Sequence, residues 1–299
     1  MNRTLNDLLT GIIDYAGLFP PAALDMQTAT DNYAAYYKSD EARWLGRFVV
    51  PVARLAEFEQ AAQEISPDQR PRENEAWRLT VLAGANLESD VKTIVGFNER
   101  LAQSSILVDT IEIKAEHREK IGASMSQLPQ FLTPYFEIPI AHDPTEPIKT
   151  IADLGARAKV RTGGVKAEDF PSSFNLARFI AICAAEDVPF KATAGLHHPV
   201  RSINQLTYEP ESATSLMHGF LNLFLAAAFA QTGLRIEQLA ELLEERSPAA
   251  FQFDADSVIW REQMVVRGQV RNARSLFAIS FGSCSFEEPL ADLKKIGLL

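Results

Sequence analysis

Short apolar, β-branched segments alternate with longer amphipathic segments along most of the chain. In the longer segments apolar residues recur at helical spacing, which is typical of helices packed on a core. The short segments predict eight β-strands, of which the last two have the weakest pattern: Arg47–Val52, Arg78–Ala83, Asp109–Ala115, Pro134–Ile140, Ala158–Thr162, Pro189–Ala194, Phe251–Phe253 and Leu276–Phe281.

This repeated alternation predicts an α/β fold with parallel strands and helices outside them. The chain has no Gly-x-Gly-x-x-Gly after its first predicted strand and no Walker sequence. Their absence disfavours a nucleotide-binding open sheet and favours a (β/α)8 TIM barrel. We expect residues 1–299 to form one domain, because such barrels reach ~250 residues as a single unit. Met1–Asp40 precede the first predicted strand and are expected to pack on the barrel as a helical N-terminal extension.

Within that extension, the sequence DYAGLFPPA (Asp14–Ala22) stands out for its paired prolines, which fix a rigid bend before the next helix. One interpretation is a plug over the bottom of the barrel or a dimer contact. The functional alternative is that Asp14 and Tyr15 reach over the mouth of the active site.

Composition narrows the class of protein. The chain is 46% hydrophobic and 23% charged, as globular proteins are. Its net charge of −10 argues against nucleic acid or an anionic membrane as a partner, but not against a small anionic substrate. Neither a signal-peptide pattern nor a disulfide framework is present, so we expect a cytoplasmic protein. Assembly into a homo-oligomer is left open.

Polar residues recur with a period of two along three of the predicted strands. Alternate side chains of a barrel strand point inward, and chemistry collects at the C-terminal strand ends. Burying an unpaired ammonium costs several kcal/mol, so three inward lysines indicate a functional site. The alternative is that one or two of them point outward between helices. The residues in question form three pairs, Glu112 and Lys114, Lys159 and Arg161, and Lys191 and Thr193.

Lysine has a specific chemical use in such a site. A neutral amine attacks a carbonyl and forms a Schiff base, which turns the substrate into an electron sink for C–C cleavage. A second cation ~6 Å away lowers the pKa of a lysine by about two units. Lys159 and Lys191 lie on adjacent predicted strands, as this requires. Glu112, with Lys114 or His197, is then placed to handle protons.

Two sequences, KVRTGG (Lys159–Gly164) and FKATAGL (Phe190–Leu196), together resemble the deoxyribose-phosphate aldolase family. That class I family has a Lys-x-x-Thr-Gly strand with the Schiff-base lysine, followed by a Lys-x-x-Gly-Gly strand whose lysine tunes it. The resemblance implies that Lys159 is the nucleophile, Lys191 the tuning lysine, and Glu112 the stand-in for the family's acidic residue. It is local, and the family's phosphate site has no clear counterpart.

Further residues are predicted to bind the substrate, which is expected to be a small anion. Guanidinium groups hold carboxylates or phosphates bidentately, and His197, in AGLHHPVR, is a candidate proton shuttle. The alternative for both histidines is hydrogen bonding to the loop backbone. The predicted binding residues are Arg161, Thr162, Gly163, Gly164, Lys114, Thr193, His198, Arg201 and Ser283.

Three functions follow from these patterns. The preferred one is an aldolase-like lyase without a cofactor, acting on a small oxo or hydroxy acid or a sugar. The second is a lyase or isomerase that uses a divalent metal held by His197, Glu112 and Glu137. The third is a binding barrel without catalytic activity.

Overall fold

Thirteen β-strands and eleven α-helices follow one another in the computed structural model, which describes residues 2–71 and 75–299. The strands are β1 (Ile13–Tyr15), β2 (Leu45–Pro51), β3 (Trp77–Leu82), β4 (Ile106–Lys114), β5 (Thr133–Glu137), β6 (Arg157–Arg161), β7 (Phe190–Thr193), β8 (Ser202–Gln205), β9 (Thr214–Met217), β10 (Phe251–Phe253), β11 (Ser257–Trp260), β12 (Gln263–Val266) and β13 (Ala278–Ser283). The helices are α1 (Arg3–Leu9), α2 (Met26–Lys38), α3 (Leu55–Glu64), α4 (Leu87–Arg100), α5 (Arg118–Met125), α6 (Thr145–Asp153), α7 (Ser173–Ala185), α8 (Phe220–Ala230), α9 (Ile236–Leu243), α10 (Arg267–Asn272) and α11 (Glu287–Lys295). Among the described residues, no helix combines the length and apolarity that crossing a membrane requires.

Eight of these strands close into a barrel in the spatial order β1, β13, β7, β6, β5, β4, β3, β2. Each neighbouring pair in it is parallel. Helices connect successive strands, and large apolar side chains such as Phe48, Phe136 and Phe190 are fully buried in the core. The predicted (β/α)8 TIM barrel is therefore confirmed.

The N-terminal segment contributes the first barrel strand. Ile13–Tyr15 pairs with β13 on one side and with β2 on the other. The prediction that residues 1–40 only pack on the outside of the barrel is therefore wrong for this strand. A three-residue strand is too short to show alternation, and its central residue, Asp14, is a buried acid that interrupts the apolar pattern.

The segment Phe251–Phe253 is a strand, but the prediction that it belongs to the barrel is wrong. It pairs with β11 in a separate antiparallel sheet of three strands, β10, β11 and β12. The eighth barrel position is taken by Ala278–Ser283, which overlaps the predicted strand Leu276–Phe281. Leu276 belongs to the helical turn before that strand and is largely exposed, so including its apolar side chain in the predicted strand was wrong.

Candidate active site

A cavity of about 360 Å³ lies where the barrel strands end at their C-termini. Its walls come from the barrel strands β2, β3, β4, β5, β6, β7 and β13, from the loops after β1, β6, β7 and β13, from the β8–β9 hairpin and from the start of α11. Glu137, named for the metal alternative, also lines it. The predicted site residues that line the cavity are Glu112, Lys114, Lys159, Arg161, Gly164, Thr193, His197 and His198.

Five buried or nearly buried charged side chains, which we call the charged cluster, meet at the bottom of this cavity. Lys159 Nζ lies 2.5 Å from Glu112 Oε2 and 2.7 Å from Glu137 Oε2. Lys191 Nζ lies 2.5 Å from Asp14 Oδ2 and 2.6 Å from Glu112 Oε1. Glu112 therefore bridges the two ammonium groups with its two carboxylate oxygens.

Strand register accounts for this cluster. Glu137 is the direct partner of Lys159, and Lys159 is the direct partner of Lys191, across β5, β6 and β7. Asp14 reaches Lys191 past β13, whose Ser280 hydroxyl donates to the same carboxylate oxygen at 2.8 Å. The other oxygen of Asp14 accepts from the backbone N–H at position 47, at 2.9 Å. Because neighbouring strands are parallel and in register, inward side chains from β4, β5, β6 and β7 meet at one point. Asp14 of β1 joins them there.

The paired charges fix the protonation of two members of the cluster. Burial by itself would raise the pKa of Glu112, but the ammonium groups of Lys159 and Lys191 outweigh it and lower the pKa to about 2. Burial likewise disfavours the charged form of Lys191, yet the carboxylates of Asp14 and Glu112 prevail and raise its pKa. Glu112 is therefore an anion and Lys191 a cation throughout the ordinary pH range.

Two predicted binding residues shape the loops instead of lining the cavity. The Thr162 hydroxyl donates to the backbone carbonyls of Thr193, at 3.1 Å, and Ala194, at 2.6 Å. A Cβ added to Gly163 would lie only 2.9 Å from the Cα of Gly195, which itself has a φ of +72°. Glycine at both positions lets the loops after β6 and β7 cross closely, as bulkier residues would not.

Arg201 and Ser283 were also predicted to bind the substrate, and neither lines the cavity. The Arg201 guanidinium is paired with Glu244, with an Nε–Oε2 distance of 3.0 Å, and also contacts His218. Ser283 is buried, and its hydroxyl accepts from the backbone N–H of Ser285 at 3.3 Å. Both side chains are engaged in local structure.

A second group, which we call the mouth network, comprises His197, Tyr208, Cys284 and Glu288, and all four line the cavity. His197 Nδ1 lies 2.9 Å from Glu288 Oε2, and the Tyr208 hydroxyl donates to the same oxygen at 3.1 Å. Cys284 Sγ lies 3.6 Å from the Tyr208 hydroxyl and 4.0 Å from His197 Nε2.

Sequence reasoning missed Tyr208, Cys284 and Glu288. Glu288 lies in the first turn of α11, and its backbone N–H donates to the Ser285 hydroxyl at 3.1 Å. One feature of the sequence could have indicated these carboxylates as partners for the two histidines. Glu288 and Asp292 are one helical turn apart and so share a face of α11. Asp292 Oδ2 lies 2.6 Å from Nδ1 of the adjacent histidine, His198. Two carboxylates, and not the loop backbone, therefore orient the histidine pair.

The metal alternative needs His197, Glu112 and Glu137 around one point. Glu112 and Glu137 instead contact Lys159, and His197 contacts Glu288. Within residues 2–71 and 75–299, no three His, Cys, Asp or Glu side chains are grouped as metal ligands would be.

The cavity occupies the position that active sites take in TIM-barrel enzymes, at the C-terminal face of the strands. No family model matches the sequence, and no curated protein matches it. What the cavity does is therefore inferred from its own geometry and charges.

Proposed function

We propose that the protein is an aldolase-like lyase that forms a Schiff base between Lys159 and a small anionic carbonyl compound. The observation that carries this proposal is the placement of the two lysines. Lys159 lines the cavity, with carboxylates at 2.5 and 2.7 Å from its Nζ. Lys191 lies behind it, bridged through Glu112 and out of the cavity lining.

This placement distinguishes the roles of the two lysines. Lys191 is saturated by Asp14 and Glu112, and its raised pKa keeps it an ammonium, which has no lone pair for attack. Lys159 is the buried lysine that a substrate in the cavity would meet. The proposed roles match those that the resemblance to deoxyribose-phosphate aldolases implies, with Lys159 as nucleophile and Lys191 as a fixed neighbouring charge.

The carboxylates around Lys159 supply the proton transfers that the reaction needs. Glu137 lines the cavity and takes a proton from the Lys159 ammonium, which frees the amine for attack on the carbonyl carbon. A C–N bond forms, the carbonyl oxygen leaves as water, and the resulting iminium accepts the electron pair of the breaking C–C bond. Glu112 remains an anion and stabilises the iminium charge.

Two cations at the rim support an anionic substrate. Arg161 and Lys114 line the cavity and are exposed, and neither makes an ion pair with another residue of the described chain. Unpaired cations beside a cluster whose own charges are already paired offer a place for a carboxylate or phosphate. Arg161, with its planar fork, is the better placed to fix such a group in one orientation.

We expect wild-type protein, incubated with small oxo acids and hydroxy aldehydes and then treated with borohydride, to gain the mass of one reduced adduct. Peptide mapping should place the adduct on Lys159. Lys114 is the informative competitor, because it is an exposed lysine in the same cavity. An adduct on Lys114 alone, or no adduct with any carbonyl compound, would contradict the proposal.

Substitution of Arg161 with methionine is expected to raise KM for the trapped compound about tenfold or more, with a smaller effect on kcat. This is the scale of one lost charged hydrogen bond. Steady-state kinetics of the variant measure it, and Arg118→Met, on the exposed face of α5, is the matched control. An unchanged KM would remove Arg161 from the binding site.

A further inference from the structure

The mouth network contains a thiol that the proposed lyase chemistry does not use. Cys284 follows β13 and lines the cavity, although only 6% of its surface is exposed. The other cysteine, Cys183, is completely buried in α7 and lies outside the cavity lining. The two thiols therefore differ in access to whatever enters the cavity.

The neighbours of Cys284 are arranged as a nucleophile, a base and an orienting acid. A carboxylate only accepts, so we assign the imidazole proton to His197 Nδ1, 2.9 Å from Glu288 Oε2, which makes Nε2, 4.0 Å from Cys284 Sγ, the basic nitrogen. Burial by itself raises the pKa of Glu288, but the bond to His197 outweighs it and keeps the acid ionised. Nucleophile–base distances are commonly long in unliganded sites and shorten when a substrate binds.

We propose that Cys284 is a nucleophilic thiol with His197 as its general base, and that it binds an aldehyde as a reversible hemithioacetal. As the C–S bond forms, the S–H proton moves to His197 Nε2 and the carbonyl π pair moves onto oxygen. The oxygen then takes the proton back from His197, so the adduct forms without an oxidant or any other reactant. Reactivity of the thiol is independent of Lys159, and only the choice of an aldehyde rests on the proposed function, since C–C cleavage releases a carbonyl compound.

The resting state of the cysteine explains why it needs a base. Burial raises the pKa of the Cys284 thiol, so it is protonated at neutral pH and must lose its proton during attack. Tyr208, in the loop between β8 and β9, lies over this thiol and is held by Glu288. Loss of His197 should therefore slow the thiol more than loss of the Tyr208 hydroxyl does.

Alkylation with iodoacetamide tests the base, with Cys183 as an internal reference. We expect Cys284 to be modified in the native protein while Cys183 stays unmodified. His197→Gln should slow modification of Cys284 about tenfold or more, and Glu288→Gln should slow it less, because the imidazole remains. Equal rates in wild type and both variants would overturn the proposal. Labelling of Cys183 would show that a variant has lost its fold. If this happens in His197→Gln, the rate measured for Glu288→Gln decides the test.

Protection by an aldehyde tests the ligand. The experiment uses the double variant Lys114→Met/Lys159→Met, which keeps neither of the two lysines that line the cavity and so forms no imine there, and propanal as the probe. Propanal should protect Cys284 from iodoacetamide, protection should disappear on dilution, and propan-1-ol should give none. Absence of protection would overturn the aldehyde assignment. Because Lys159 is missing, this result is independent of whether the Schiff-base proposal holds.

Discussion

Replacing Lys159 with methionine will abolish borohydride trapping and lower the rate of C–C cleavage about a thousandfold or more. Losses of this size follow removal of a covalent nucleophile, because binding and electrostatic contributions cannot replace the missing bond. Methionine keeps the length of the side chain but not its amine. Mass measurement after trapping and single-turnover kinetics provide the readouts. Lys92→Met is the matched control, since Lys92 is an exposed lysine of α4 paired with Glu88.

Lys191→Met should behave differently from Lys159→Met. Trapping should persist, because the reacting amine is still present, but it should require a higher pH. Removing the Lys191 ammonium leaves Asp14 and Glu112 uncompensated, and this excess negative charge favours the protonated form of a neighbouring amine. If trapping instead vanished in Lys191→Met and survived in Lys159→Met, the assigned roles would have to be exchanged.

Replacing Glu112 with glutamine is expected to lower the free energy of unfolding by about 3–5 kcal/mol at neutral pH, the usual cost of breaking a buried ion pair from one side. Glu112 is the carboxylate shared by both ammonium groups, so its loss affects Lys159 and Lys191 together. Urea unfolding at a series of pH values measures the effect.

The difference in free energy of unfolding between wild type and Glu112→Gln should depend on pH. The folded-state pKa of Glu112 is depressed from 4.5 to about 2, so its contribution is present above pH 4.5 and is lost as the pH falls through 2. The difference between wild type and Glu112→Gln should therefore shrink across this interval. A difference that stays constant down to the acid limit would mean that the charge of Glu112 is not what stabilises the fold. Glu57→Gln, in an exposed pair with Arg54, should show little difference at any pH.

The cluster lysines could be predicted from the sequence because barrel strands impose a period of two. Lys159 and Lys191 occupy inward positions on neighbouring strands, and an inward lysine is costly unless it is paired. Their partner Asp14 was only weakly indicated. Asp14 lies on β1, a strand of three residues. The pairing of β1 with β2 and β13 results from closure of the barrel and not from the local sequence.

The mouth network could not be predicted from the sequence, for a different physical reason. Its members come from the loop after β7, the loop between β8 and β9, the loop after β13 and the start of α11, and loop geometry has no simple period. Tyr208 and Cys284 are 76 residues apart in the chain, so nothing local couples them. The barrel itself was predictable because strand–helix alternation is a local pattern repeated many times. The separate sheet of β10, β11 and β12 was not, because it interrupts that repetition.

Asp14 and Ser280 share a hydrogen bond across 266 residues of chain, and Asp14 meets Lys191 across 177. During synthesis, the first strand leaves the ribosome long before the strand that will seat beside it, and such distant pairings form late in folding. Until β13 arrives, β1 and β7 each keep an unpaired edge open to other chains. The step that closes the barrel also removes these edges and completes the pairing of Lys191. The charged cluster of a newly made chain is therefore completed in the same step that pairs the open edges of β1 and β7 and so prevents edge-to-edge association.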